Sequence, residues 1–318
     1  MRILITGGSG FLGSNLVRMA AEQHDAEVLA THHRPLPEKG PELPCRWLTV
    51  DLLDSDRLLR QVEEARPDAI IHAAILNDLP LMYQDRRLAW NTYVGATQAV
   101  VEAGNRTGAQ VVLVSTDWVF DGTQAGADEK TPPNPINLYG VLKLVCETIV
   151  LETARDGAVA RVAGVNGVHW ARPEATLGQN AGFGYLVTDL LRTLVADRPF
   201  SVWESDRINM LATPSLASEC AEMILRVVER DLHGTFHCVG GEQVSRKELA
   251  LAAAETFDLD VGLVVSGPPR LSETEKGLPF PLDTSLSAER TFTRLDYRPL
   301  DVRGWVARMR QQLESGRI

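Results

Sequence analysis

A turn built on three glycines follows the first apolar run of the chain and constrains the fold most strongly. The run Arg2–Thr6 is typical of a short buried strand, and Phe11–Glu22 has the spacing of an amphipathic helix. Between them, Gly7 permits a tight turn, Gly10 lets the backbone approach a phosphate, and Gly13 lets the helix pack closely on the strand. A glycine turn can be purely structural, but this position between a strand and a helix predicts a nucleotide-binding βα unit.

Short apolar runs alternate with helical patterns through the first half of the chain. Most runs are apolar at nearly every position, as in strands that are buried on both faces of a parallel sheet. The predicted strands are Arg2–Thr6, Glu27–Thr31, Arg46–Val50, Ala69–Ala73, Gln110–Ser115 and Ala158–Val162. The predicted helices are Phe11–Glu22, Ser55–Ala65, Leu88–Gly104 and Leu138–Arg155. With right-handed crossovers, this order predicts an α/β fold with a doubly wound, parallel Rossmann sheet.

The alternation of apolar runs and helical patterns becomes less regular after residue 163, where Gly, Asn and Pro become frequent. Helices are predicted at Tyr185–Ala196, Leu216–Arg230, Arg246–Phe257 and Val302–Glu314, with a strand at Thr235–Val239 and a loop at Pro268–Pro281. We therefore expect a dinucleotide-binding Rossmann domain in residues 1–163. Residues 164–318 are expected to form a small, mostly substrate-binding region, from which some segments return to the first domain.

The composition of the chain limits the kinds of partner that the protein is expected to bind. The 318 residues carry a net charge of −10, which argues against a nucleic-acid partner because phosphate binding needs clustered Lys and Arg. The four cysteines form no C-x-x-C pair, so we expect no metal site and reduced thiols. The first strand follows directly after Met1-Arg2, and no apolar run approaches the length of a membrane span. We expect a cytoplasmic protein without a membrane partner.

The end of the second predicted strand bears on the choice of cofactor. A carboxylate there would accept a ribose 2′-hydroxyl, whereas a basic residue can pair with a 2′-phosphate. The chain has Thr31-His32-His33-Arg34 at this point, so Arg34 favours NADP(H), and NAD(H) stays open. Arg34 can equally be a solvated loop residue.

Tyr139 and Lys143 are four residues apart on a predicted helix, so their side chains point to one face. Reduction of a ketone needs a proton donor for the developing alkoxide, and a neighbouring ammonium lowers the pKa of a tyrosine. A hydroxyl of Ser115 or Thr116, at the end of the fifth predicted strand, could orient the substrate oxygen towards Tyr139. The alternatives are an exposed helical pair and strand-end hydroxyls that satisfy the backbone.

Four stretches carry a resemblance to a known family. They are Gly7-Gly8-Ser9-Gly10-Phe11-Leu12-Gly13, Asn91 with Gly95, Ser115-Thr116-Asp117-Trp118-Val119-Phe120-Asp121-Gly122, and Tyr139-Gly140-x-x-Lys143. Together they resemble extended short-chain dehydrogenases/reductases, and the third stretch resembles dTDP-4-dehydrorhamnose reductases. The resemblance implies reduction by NAD(P)H of the 4-keto group of a nucleotide-linked deoxysugar. It also implies that Thr116, Tyr139 and Lys143 are catalytic.

Residues at the ends of other strands complete the expected cofactor site. Asp51 could accept hydrogen bonds from an adenine amino group, and small residues after the fourth strand would let the chain pass close to the cofactor. His72 at that strand end is as readily a structural histidine. The expected cofactor contacts are Gly7, Gly10, Phe11, Leu12, Gly13, Arg34, Asp51, Leu52, Ala73, Ala74, Asn91, Ser115, Tyr139 and Lys143.

Three stretches depart from the reductase pattern at or near the expected substrate site. They are Ile75–Met82 after the fourth strand, Arg161–Asn166 after the sixth, and Phe11 in the glycine turn, where the rhamnose enzymes tend to have Gln. These departures leave hydride chemistry in place and keep a more apolar ketone open as the substrate. The expected substrate contacts are Thr116, Asp117, Trp118, Asn166 and Arg207, with Arg161, Trp203 and Asn209 as further candidates.

Two classes of alternative function remain. One is an epimerase of the same extended family or a reductase of a non-sugar ketone. The other is a nucleotide-binding regulatory subunit that resembles the β subunit of methionine adenosyltransferase. A homodimer through the helices Leu88–Gly104 and Leu138–Arg155 is a further expectation by analogy.

Overall fold

The computed structural model describes residues 1–33, 36, 42–176 and 178–318. Its strands are β1 Arg2–Thr6, β2 Glu27–His32, β3 Arg46–Thr49, β4 Ala69–His72, β5 Gln110–Thr116, β6 Gly157–Val162, β7 Val165–Asn166, β8 Phe200–Trp203, β9 Leu211–Ala212, β10 Ser215–Leu216, β11 Gly234–His237, β12 Val244–Ser245, β13 Val264–Gly267 and β14 Asp283–Thr284. Its α-helices are α1 Phe11–Glu22, α2 Ser55–Ala65, α3 Leu79–Gln84, α4 Arg86–Trp90, α5 Ala96–Thr107, α6 Leu138–Thr153, α7 Leu186–Leu194, α8 Ala217–Glu229, α9 Arg246–Thr256, α10 Glu273–Lys276, α11 Glu289–Leu295 and α12 Val302–Ser315.

The described residues form a seven-stranded parallel sheet in the order β11-β6-β5-β4-β1-β2-β3. The chain runs outward from β1 to β3 and then crosses back to β4 on the other side of β1. This reversal leaves a crevice at the carboxyl ends of β1 and β4, which is where open α/β sheets bind ligands. The predicted doubly wound Rossmann fold is therefore confirmed.

The sheet is buried on both faces because its side chains alternate between two layers of helices. On β1, Ile3 and Ile5 pack in the same cluster as residues of α1 and α8. Leu4 faces the other way and packs with residues of α2, α5 and α6. This burial on both sides is why the strands are apolar at nearly every position.

The second half of the chain contributes to both regions of the molecule. β11 pairs with β6 and extends the main sheet, and α8 packs against α1. Near the ends of these two helices, both ring nitrogens of His24 contact carboxylates of α8, Glu222 at 2.8 Å and Glu229 at 2.7 Å. The small sheets β10-β7, β12-β9-β14 and β13-β8, with α7 and α9, form the remaining region.

Two predicted elements differ from the structure. The helix predicted at Leu88–Gly104 is divided into α4, a five-residue π-helical segment at Asn91–Gly95, and α5. The loop predicted at Pro268–Pro281 contains the one-turn helix α10. Side-chain caps start these short helices: the backbone N–H of Leu88 donates to the Asp85 carboxylate at 2.8 Å. Helices this short have too few residues to show a helical period.

Within the ranges described above, no helix combines the length and the apolar character that crossing a bilayer requires.

Candidate active site

The glycine turn lies at the carboxyl end of β1 and contacts the segment after β4. Gly7 has φ +71°, a conformation that favours glycine, and its N–H donates to the Thr31 hydroxyl at 3.0 Å. A Cβ at Gly7 would lie 2.7 Å from the Cα of Ala74 and 3.1 Å from the carbonyl carbon of Ala73. The structure thus brings together the turn and the two small residues that were expected to approach a cofactor.

The start of α1 is open to an anion. Gly10 precedes the helix without a side-chain cap, and no acidic residue occupies the first turn. A Cβ at Gly13 would lie 2.1 Å from the Gly7 carbonyl oxygen, so a side chain there would push the helix away from the turn. Backbone N–H groups and the positive end of the helix dipole favour a phosphate at such a position. This cradle fits the pyrophosphate of a dinucleotide.

Tyr139, Thr116 and Asp117 meet at the junction of β5 and α6. The Thr116 hydroxyl donates to Asp117 Oδ1 at 2.9 Å and lies beside the Tyr139 phenol, whose pKa it acts to lower. Burial raises the pKa of Asp117 to about 6, although hydrogen bonds from Thr284 and Thr116 oppose the rise. The Thr116 hydroxyl therefore lies between a phenol and a carboxyl group.

Lys143 lies one turn after Tyr139 on α6 but does not act as expected on its pKa. The Lys143 ammonium donates to the Val114 carbonyl and lies 5.8 Å from the centre of the Tyr93 ring. Burial lowers the pKa of Lys143 and raises the pKa of Tyr139 well above its usual value. The prediction that Lys143 lowers the pKa of Tyr139 is wrong for this structure, because desolvation of the phenol dominates.

Ser115 and Arg161 point into the protein rather than towards a ligand. Both bind Glu147, which lies one turn beyond Lys143: the Ser115 hydroxyl donates at 2.5 Å, and Arg161 donates at 2.9 and 2.7 Å. All three side chains are buried. The Ser115 side chain, expected at the cofactor, and the Arg161 side chain, expected at the substrate, are therefore directed away from the crevice, because a buried carboxylate takes both donors.

The remaining cofactor candidates lie around the same crevice. The His72 ring is hydrogen-bonded to the Thr6 hydroxyl at 2.7 Å, and burial next to Lys143 lowers its pKa to about 3, so the ring is neutral and structural. Asp51 is exposed and its carboxylate accepts from the N–H of Leu53 at 3.0 Å. Leu52 is half-buried, Asn91 is exposed, and Phe11 and Leu12 begin α1. Arg34 lies outside the described residues.

The substrate candidates divide into two groups. Trp118 lies beside Tyr139, with its ring 5.8 Å from the Tyr139 ring and 5.6 Å from the Phe280 ring. Asn166 is fully buried; its Nδ2 donates to the carbonyls of Gly164 and Phe183, and its Oδ1 accepts from the N–H of Val187. The Asn166 side chain, expected at the substrate, therefore holds the backbone in this structure.

Three further candidates have partners within the protein. The Arg207 side chain is exposed and donates to the carbonyl of Lys276. The Asn209 Nδ2 donates to the Thr284 hydroxyl at 2.7 Å, and Trp203 packs in a buried apolar cluster with Phe280. These contacts give the three residues structural roles in the wall of the site.

The geometry has a counterpart in known proteins. The family described as the RmlD substrate binding domain matches residues 1–315. The chain belongs to this family. It is an extended short-chain dehydrogenase/reductase of the dTDP-4-dehydrorhamnose reductase type, as its motifs indicated.

Several known proteins are similar to this chain in sequence or structure along most of its length. A hypothetical dTDP-4-dehydrorhamnose reductase from Sulfolobus tokodaii is 30% identical, with a TM-score of 0.75 over 96% of this chain and 99% of that one. A dTDP-4-dehydrorhamnose reductase from Bacillus anthracis in complex with NADP shares the fold at 22% identity, with a TM-score of 0.76 over 98% and 99% of the two chains. Methionine adenosyltransferase 2 subunit beta of Rattus norvegicus is 27% identical over 81% of this chain and 72% of its own.

Sequence reasoning missed three residues of this RmlD-type site. Glu147 had a usable signal, since it lies four residues after Lys143 on the same helix face. Tyr93 and Thr284 reach the site from distant parts of the chain: Tyr93 through its ring near Lys143, and Thr284 through a hydroxyl that acts to lower the pKa of Asp117.

Proposed function

We propose that this protein is a reductase that uses NAD(P)H to reduce a keto group. The observation that carries the proposal is the meeting of the Tyr139 phenol and the Thr116 hydroxyl at the carboxyl edge of the sheet, with Lys143 on the same helix. The glycine turn opens onto the same edge from β1.

Each residue has a definite task in this reaction. When bound, the nicotinamide supplies a hydride for the carbonyl carbon. Tyr139 keeps its proton at neutral pH because its pKa is raised, and it can give that proton to the developing alkoxide, which is a stronger base than a phenolate. Thr116 orients the carbonyl oxygen, and Lys143 holds the ribose hydroxyls. A proton from solvent then restores the phenol.

The substrate that fits best is the 4-keto group of a nucleotide-linked deoxysugar, as in dTDP-4-dehydrorhamnose. Support comes from the family and from the S. tokodaii relative. The test is NADPH oxidation, followed at 340 nm, over a panel of nucleotide-linked keto-sugars and apolar ketones. Oxidation with an apolar ketone alone would favour a non-sugar reductase. Conversion of a nucleotide sugar without net cofactor change would favour an epimerase.

The same assay tests the proton donor. Tyr139→Phe keeps the ring and its contact with Trp118 but removes the proton, so we expect kcat to fall by about 100-fold to 10,000-fold. Binding of NADP⁺, measured by calorimetry, should stay within about twofold. A Phe variant that keeps more than about a tenth of wild-type kcat would contradict the role of Tyr139.

The cofactor that we propose is NADP(H), with NAD(H) as the weaker ligand. Support comes from Arg34 in the sequence and from the NADP held by the B. anthracis structure. Calorimetry of the wild type and of Arg34→Gln tests the preference. The variant should lose about tenfold in affinity for NADPH and keep its affinity for NADH. An equal loss for both nucleotides would remove Arg34 from the 2′-phosphate site.

A regulatory role is the second candidate, because the β subunit of methionine adenosyltransferase 2 is a relative. Under this alternative the protein would bind a nucleotide and a catalytic subunit. Copurification with a methionine adenosyltransferase catalytic subunit, and a change in the rate of that enzyme that persists in Tyr139→Phe, would favour it. No complex together with NADPH-dependent reduction would exclude it.

A further inference from the structure

Tyr185 has a strained backbone at the boundary between the two regions. It precedes α7 with φ 63° and ψ 4°, the left-handed conformation, which costs a residue with a side chain on the order of 1 kcal/mol. Its N–H donates to the Val165 carbonyl at 3.3 Å, which helps to hold this conformation. Strain of this kind persists only where surrounding contacts maintain it, and it is common at ligand sites.

The Tyr185 side chain spans the crevice above the glycine turn. Its ring packs edge-on against Phe11, with 4.9 Å between the ring centres. Its hydroxyl accepts a hydrogen bond from Asn77 Nδ2 at 3.4 Å. Tyr185 therefore connects the turn after β1, the segment after β4 and the start of α7.

The three contacts come from the three stretches that depart from the reductase pattern. Phe11 replaces the Gln of the glycine turn, Asn77 belongs to the altered segment Ile75–Met82, and Val165 belongs to Arg161–Asn166. These stretches are distant in sequence, yet each contacts Tyr185: Phe11 and Asn77 contact its side chain, and Val165 accepts from its backbone N–H. The departures therefore form one structural unit, which we call the Tyr185 wall and define as Phe11, Asn77 and Tyr185.

The Tyr185 hydroxyl keeps a hydrogen to donate. Asn77 is the donor in the hydrogen bond between the two residues, so the phenol O–H is not used in that bond and can donate to another acceptor. Tyr185 is half-buried and follows Gly182, where a Cβ would lie 3.2 Å from the Trp118 ring. The Trp118 ring is 5.8 Å from the Tyr139 ring, so the start of α7 lies on the Tyr139 side of the crevice. A half-buried donor at this place is suited to hold an oxygen of the substrate.

We propose that Tyr185 is a substrate-binding residue whose hydroxyl donates a hydrogen bond to an oxygen substituent next to the reacting carbonyl, and that the Tyr185 wall selects hydroxyketones. The proposal rests on the reductase function and names the substrate class for it. The aromatic rings of the wall pack against the carbon skeleton of the substrate. The Tyr185 hydroxyl donates a hydrogen bond to the oxygen next to the carbonyl. A ketone without that oxygen forms no such hydrogen bond, so the Tyr185 hydroxyl does not increase its affinity.

The first test compares Tyr185→Phe with the wild type in NADPH oxidation. The ring remains while the donor is lost, so KM for a keto-sugar should rise about fivefold, with kcat within about twofold, since the bond stabilises ground and transition states alike. KM for a ketone without the neighbouring oxygen should not change. Tyr297→Phe is the matched control, because Tyr297 donates to Glu219 away from the crevice. Unchanged KM in Tyr185→Phe would overturn the proposal while the reductase function stands.

The second test does not depend on turnover. Calorimetry measures binding of dTDP-rhamnose, the product of dTDP-4-dehydrorhamnose reduction, to the NADP⁺ complexes of the wild type, Tyr185→Phe and Tyr297→Phe. We expect a loss of about fivefold in Tyr185→Phe alone, with unchanged NADP⁺ affinity. If the wild type reduces no keto-sugar but shows this selective loss, the reductase function fails and the role of Tyr185 stands. Equal affinity in all three proteins, or no binding by the wild type, would overturn that role.

Discussion

At the scale of single residues, burial decides the charge states of the site. The phenol of Tyr139 and the carboxyl of Asp117 share Thr116 as a neighbour, and burial raises the pKa of both groups. Tyr139 consequently keeps its proton at neutral pH. Asp117, with a pKa of about 6, changes its charge within the range of ordinary buffers.

Asp117→Asn should change how stability depends on pH. The folded state keeps the Asp117 proton up to a pH of about 6, whereas the unfolded chain releases it near 4, so this group makes the free energy of unfolding fall as the pH rises between these values. The Asn variant should lack this fall and be more stable than the wild type at pH 7 by about 1 to 3 kcal/mol. Urea denaturation at pH 4, 5, 6 and 7 measures the difference. Parallel pH curves would contradict the raised pKa.

At the scale of elements, α6 carries Tyr139, Lys143 and Glu147 within two turns and packs against the end of β5. Gly140 allows this approach, because a Cβ there would lie 2.1 Å from the Trp118 carbonyl oxygen. Glu147 anchors the same helix to β6 through Arg161, with both side chains buried. The position of Tyr139 and Lys143 on α6 thus depends on one close contact and one ion pair.

Gly140→Ala should displace α6 from Trp118. We expect the free energy of unfolding to fall by about 1 to 3 kcal/mol, as for overpacking, and kcat/KM to fall at least about tenfold. Gly95→Ala is the matched control, since a Cβ there meets no described atom within 4 Å. It should be neutral or stabilise by up to about 1 kcal/mol. Equal effects of the two variants in denaturation and kinetics would contradict the close contact.

Glu147→Gln should be strongly destabilising. It leaves the buried Arg161 guanidinium without its counter-charge, and we expect a loss of about 3 to 5 kcal/mol in urea denaturation. The double variant Glu147→Leu with Arg161→Met removes both charges and should recover most of that loss. A loss below about 1 kcal/mol in Glu147→Gln would mean that the pair does not hold α6 to the sheet.

At the scale of the whole molecule, the two halves of the chain are interleaved. β11 completes the main sheet beside β6, and α8 covers α1. Asn15 of α1 also bonds to the second half: its Nδ2 donates to the Val168 carbonyl at 2.9 Å, and its Oδ1 accepts from the Trp170 indole at 3.1 Å. The Rossmann unit therefore includes segments of the chain beyond residue 163.

A fragment of residues 1–163 should consequently fail to fold cooperatively. It would expose the edge of β6 and the apolar face of α1, both of which the second half buries. Circular dichroism should show no sharp thermal transition, and NADP⁺ should produce no rise in melting temperature, in contrast to the full chain. A cooperative transition shifted by NADP⁺ would mean that the first half is an independent domain.

The sequence by itself determined the first six strands of the main sheet, the glycine turn and the pairing of Tyr139 with Lys143 on one helix face. These features follow from local patterns: apolar runs, helical spacing, and glycines where a side chain would collide. Tertiary structure decided where polar side chains point. Ser115 and Arg161 turn to Glu147, Asn166 turns to the backbone, and Tyr185 gathers three distant stretches. A polar group takes the partner that compensates its burial, and that partner is set by packing between distant segments.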